Sequence, residues 1–81
     1  MNFQNVLTKA QEAIKEGKTI LAHCNNWPEI IWVAFKKDEV GKQICTIFIK
    51  KEDGKFSVVN GARFNSFEIE DLVADWEIVN L

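Results

Sequence analysis

The sequence has no tyrosine, one proline, one histidine, one methionine and only two cysteines. Cys24 and Cys45 are too few for a disulfide framework, and neither belongs to a CxxC pair. With a single histidine beside them, a structural zinc site lacks ligands, so no metal or other cofactor is expected. Reduced thiols of this kind fit a cytoplasmic protein. The four glycines are scattered singly, which excludes a glycine-rich loop cradling phosphate. A basic surplus is also missing: ten Lys plus Arg face twelve Asp plus Glu, for a formal charge of −2. That balance argues against a DNA or RNA binder, which gathers cations on one face. No apolar run approaches the roughly 20 residues of a membrane span. Nor does a basic start lead into the apolar stretch of a secretory signal. No membrane partner is expected.

What is present is a globular composition, 47% apolar and 27% charged, with six Phe and three Trp. Its 81 residues hold one domain, 1–81. A core this small barely offsets the entropy of ordering the chain, so self-association is an expected source of further stability.

Residues 3–16 carry Phe3, Val6, Leu7, Ala10, Ala13 and Ile14 at spacings of three and four, one apolar stripe of a helix. Asn2 is placed to cap its start and Gly17 to end it. Lys18–Cys24 reads as a strand, broken by Asn25, Asn26, Trp27 and Pro28. Ile30–Phe35 is almost wholly apolar and needs cover on both faces, from the chain or from a second subunit. Gln43–Lys50 alternates Ile44, Thr46, Phe48 and Lys50 against Cys45, Ile47 and Ile49. Asp53-Gly54 marks a tight hairpin leading into a strand over Phe56–Asn60. Gly61–Asn65 reads as a loop and Ser66 as the cap of a short helix ending near Ala74, with Ile69, Leu72 and Val73 inward. Trp76–Leu81 closes the chain as a strand. The expected fold is α+β: an N-terminal helix, an antiparallel sheet of about five strands, and a short helix before the last strand.

Catalysis finds little support. His23 and Cys24 are neighbours on one strand and point to opposite faces, a poor dyad. Pairing of His23 with Cys45 requires adjacent strands in the right register. Glu68, Glu70, Asp71 and Asp75 read as carboxylates favoured by a helix start rather than as metal ligands. The aromatic residues are more telling. Trp27 lies in a turn with Asn25, Asn26 and Pro28, apart from the expected core, and Trp76 follows Asp75. A flat ring with nearby amides and a carboxylate suits a nucleotide: the ring stacks, the amides read base edges, and Asp75 accepts from ribose hydroxyls. Arg63, the sole arginine, reads either as a bidentate phosphate grip or as a solvated cation paired with Glu68 or Asp71. If it is not the donor, His23, Lys18 or backbone amides take that role.

The opening NFQNVLTKAQEAIKEGKTILA, the NNWP turn, KKEDGKF at 50–56 and the closing DLVADWEIV at 71–79 resemble the second Thoeris anti-defence family of phage proteins. The resemblance implies a homodimer or homotetramer in the infected bacterial cytoplasm. It would bind a cyclic ADP-ribose derivative, or a cyclic dinucleotide, and sequester it without turnover. It also implies a binding role for Phe3, Asn26, Trp27, Asp75 and Trp76, with His23 standing where the family often carries arginine. The alternative function is a protein-interaction module that uses Trp27, Trp32 and Phe64 as anchors on a host protein.

Overall fold

A computed structural model describes residues 1–37, 39–63 and 67–81, with the backbone alone for Gln43 and residues 60–63. The order is α1 (Phe3–Lys15), β1 (Ile20–Cys24), β2 (Ile31–Lys37), β3 (Gln43–Lys50), β4 (Phe56–Arg63), α2 (Ile69–Leu72) and β5 (Trp76–Asn80). This is the expected α+β fold. The five strands form one antiparallel sheet in the order β4-β3-β2-β1-β5, so the last strand returns to lie beside the first.

The helix begins where Asn2 accepts from the Asn5 amide at 2.9 Å. Val6, Ala10 and Ala13 are buried along its stripe. At its end the amides of Gly17 and Lys18 donate to the carbonyls of Ile14 and Ala13, at 3.1 and 2.8 Å. This double closure needs a left-handed residue, and Gly17 supplies it at φ 73°. It also explains why β1 starts at Ile20 rather than Lys18: the Lys18 amide is engaged by the helix. Gly17→Ala is expected to lower stability by about 1 kcal/mol, the cost of a Cβ in the left-handed region, read as a drop in thermal midpoint.

Strand alternation sorts the core into two clusters. Ile20, Ala22, Cys24, Val33, Phe35 and Trp76 pack under α1, with Phe3, Leu7, Trp27, Cys45 and Phe67 around them. Leu21, Trp32, Ala34 and Phe48 form the second cluster on the opposite face, flanked by Phe56 and Val79. Among the described residues no helix lies on that second face; the Trp32 ring helps close it. It stacks on His23 with centroids 5.0 Å apart and meets the Phe56 ring edge-on at 5.2 Å. Trp32 through Phe35 are therefore covered on both sides within the chain, and this run does not require a second subunit to bury it.

Other boundaries differ from expectation as well, β2 running over Ile31–Lys37 instead of Ile30–Phe35. β4 continues to Arg63 instead of stopping at Asn60, because the ladder shifts register after Phe48↔Val58 and resumes at Thr46↔Arg63. The second helix is a single turn capped by Glu68, and Ser66 lies outside the described residues. Its apolar residues do not face inward: Ile69, Leu72 and Val73 are 77%, 41% and 80% exposed, while Asp71 is buried. The turn is rotated so that a carboxylate, not an apolar side chain, meets the core.

Candidate ligand site

The Asp71 carboxylate gathers three donors at the end of the first cluster. Oδ1 accepts from Trp27 Nε1 at 3.1 Å and lies 3.9 Å from Cys24 Sγ, while Oδ2 accepts from the Glu68 amide at 3.0 Å. The Asp71 carbonyl takes the Trp76 indole N–H at 2.8 Å. Around this knot the rings of Phe3, Trp27, Phe67 and Trp76 pack together, with Trp27 edge-on to Trp76 at 5.1 Å and Phe3 at 5.2 Å from Trp76. Trp27 thus does not stand apart from the core. Half-buried, it uses its N–H on Asp71, its stacking on Phe67 and its edge-on contact with Trp76 to hold α2 and β5 to the sheet. Phe3 and Trp76 share that packing, and Asn26 Nδ2 adds a tie to the Glu70 carbonyl at 2.8 Å. The sequence-expected aromatics are brought together as one cluster inside the domain.

His23 faces the other way. It is 7% exposed, and its Nδ1 lies 2.8 Å from the Ile31 carbonyl. A carbonyl only accepts, so Nδ1 carries a proton and is the donor of this bond. The ring is stacked on Trp32 and touches the Trp27 ring edge-on at 6.3 Å, which fixes its plane. It forms part of a cleft of about 350 Å³ with Trp32, Glu29, Ile30, Lys50 and Glu77, extended by Lys51 and Glu52 of the hairpin. Lys50 Nζ lies 6.0 Å from the Trp32 ring centroid. Glu77 sits opposite His23 in the β1–β5 register. Among the described residues neither Lys50 nor Lys51 is in an ion pair.

A second hollow of about 340 Å³ adjoins this cleft through His23 and Glu77, and is bordered by Met1, Asn25, Asp75 and Trp76. Of the expected site residues, His23, Asp75 and Trp76 therefore meet at a surface depression. Asp75 is exposed, and its carbonyl accepts from the Asn25 amide at 3.0 Å. Arg63 contributes backbone pairing with Thr46; its side chain, like Phe64, lies outside the described residues.

Sequence reasoning missed Glu29, Lys50 and Glu77. Alternation places Lys50 with Phe48 and Glu77 with Val79, but only the strand order brings β3, β2, β1 and β5 side by side.

The thiols lie on the α1 side of the sheet, opposite His23, so a His23–Cys45 pair is excluded along with His23–Cys24. Burial pushes both thiols above their ordinary value of 9.0; for Cys24 the Asp71 carboxylate adds to the rise and the Asn26 amide opposes it. Both are thus held as thiols at neutral pH. In native protein, iodoacetamide should label half-buried Cys45 slowly and Cys24 only on unfolding. Because the folded thiols hold their protons more tightly than the unfolded ones, their contribution to stability is complete below pH 9.0. It should decline as pH rises above that value, as denaturant titrations at increasing pH would show.

No protein-family model matches the chain, and no curated protein or solved structure matches it either. Among the described residues no helix is long and apolar enough to cross a membrane.

Proposed function

We propose that the protein binds a cyclic ADP-ribose-type or related cyclic nucleotide signal and sequesters it unchanged, countering an anti-phage defence in the bacterial cytoplasm. The observation that carries this reading is the His23 cleft: a nearly buried imidazole with one nitrogen free, between two lysines and a set of carboxylates. Its volume and mixed polarity suit a ligand with phosphate at one end and hydroxyl or N–H donors at the other. The resemblance of the opening helix and the DLVADWEIV segment to the Thoeris anti-defence family supplies the ligand class. Separation of the thiols from His23 favours binding over covalent chemistry.

A homodimer or homotetramer belongs to the same proposal. Ile30 and Val58 are 50% and 44% exposed on or beside the face that no described helix covers, and a second copy would bury them.

The test incubates purified protein with cyclic ADP-ribose isomers and cyclic dinucleotides, then recovers the nucleotide after heat denaturation. Intact nucleotide retained at stoichiometric levels is the expected result; a converted product identifies an enzyme, and no retention overturns the proposal. Light scattering at micromolar concentration should give a multimeric mass, and a monomer refutes the assembly.

One observation favours the second reading, a protein-interaction module. Ile69, Leu72 and Val73 present three exposed apolar side chains on one turn of α2, a patch suited to a host protein. Loss of retention in the nucleotide assay would move the weight to this patch.

A further inference from the structure

Resting on the nucleotide reading, we infer that the His23 cleft is the seat of a ribose phosphate unit, with its hydroxyls at His23 and Glu77 and its phosphate at Lys50 and Lys51. Every buried side-chain N or O atom described has a hydrogen-bond partner. His23 is bonded through Nδ1 alone, so Nε2 is the ring nitrogen left for the two adjoining hollows that His23 lines. An imidazole 7% exposed, clamped by Trp32 and the Ile31 carbonyl, holds Nε2 in a fixed direction without a protein partner. Beside it on β5, Glu77 is exposed and faces His23 across the strand pair. A carboxylate next to an imidazole nitrogen offers two hydrogen-bond partners to a vicinal diol, and acidic residues hold ribose in this way in dinucleotide sites.

The cations lie at the other end. Lys50 ends β3 and Lys51 begins the hairpin turn, and neither is neutralised by an ion pair among the described residues. The three carboxylates of the cleft, Glu29, Glu52 and Glu77, outnumber its two lysines. A bare polyanion is therefore disfavoured, whereas one phosphate at the two lysines and uncharged hydroxyls at Glu77, on the far strand, match the lining.

The experiment uses nitrogen-15 labelled full-length protein, with ribose 5-phosphate, 2-deoxyribose 5-phosphate, inorganic phosphate and cyclic ADP-ribose as separate probes. Ribose 5-phosphate should shift the His23 Nε2 resonance and compete with cyclic ADP-ribose. Glu77→Gln, a change at an exposed position, should weaken ribose 5-phosphate about tenfold, the loss of one charged hydrogen bond, and leave inorganic phosphate unaffected. The deoxy analogue should bind less tightly than its parent, and Lys51→Met should weaken every phosphate probe. Cyclic ADP-ribose binding while ribose 5-phosphate leaves Nε2 unmoved overturns this inference and leaves the sequestration proposal standing. Ribose 5-phosphate seated at His23 with no cyclic nucleotide bound supports the inference and overturns sequestration. Equal binding of ribose 5-phosphate and inorganic phosphate makes the cleft a simple anion site and refutes the inference. Silence from all four probes refutes both.

Discussion

Asp71→Ala should cost about 3 kcal/mol of stability, the largest effect expected from removing so few atoms, since hydrogen bonds to a charged group are worth about 1.5–3 kcal/mol each. The substitution strips the acceptor from the Trp27 indole and from the Glu68 amide at once, leaving two donors without partners at part-buried positions. For a domain of this size a loss of 1 kcal/mol moves the thermal midpoint by about 4–8 °C, so calorimetry should record a fall of about 12–24 °C. Asp71→Asn keeps one good acceptor and should fall between the variant and the parent. A midpoint within a few degrees of wild type for Asp71→Ala would show that the knot is incidental. The effects of Asp71→Ala and Trp27→Phe should not add, because both remove the same hydrogen bond.

Trp32→Ala should be the most disruptive substitution, at about 4 kcal/mol, within the range for deleting a buried large aromatic. On the α1 side a lost ring leaves a cavity beneath a helix. On this side it leaves an opening, because among the described residues no helix lies above Leu21, Ala34 and Phe48. Water entry and association through the exposed apolar surface are the expected consequences, read as binding of a hydrophobic dye and a rise in scattered light. Trp32→Phe should retain most of the cover but lose the indole bond to the Glu29 carbonyl, at 3.0 Å, and fall well short of the alanine variant. A dye-silent, monomeric Trp32→Ala would mean that the second face is closed by other groups.

The helix α1 was legible because three signals agree along one segment: the stripe, the Asn2 cap and the Gly17 stop. The central strands were legible for the same reason, β3 to the residue at both ends. The one-turn helix was not. Ile69, Leu72 and Val73 satisfy a helical pattern, yet four residues make too little local structure to orient themselves. Tertiary hydrogen bonds from two indoles to Asp71 decide which side turns inward. The end of β4 was hidden by a register shift, which leaves no mark in composition.

For the site, local sequence identified His23, Asp75 and Trp76 as candidates but misjudged Trp27, whose turn position concealed a packed ring. The cleft itself is a property of strand order. His23, Trp32, Lys50 and Glu77 come from four strands, and their convergence depends on β5 joining the sheet beside β1.

That placement of β5 also sets an order of events during folding. Among themselves the strands from β1 to β4 pair only with neighbours in sequence, through short connections that close quickly. β5 must instead reach back across the length of the meander, to where Trp76 meets Cys24 and Asn80 meets Ile20. A nascent chain that has not yet released β5 can form four strands but keeps the apolar β1, Ile20–Cys24, as an open border. Such a border is a template for strand exchange between unfinished copies. Docking of β5 therefore guards that border against strand exchange while completing the wall that carries Glu77.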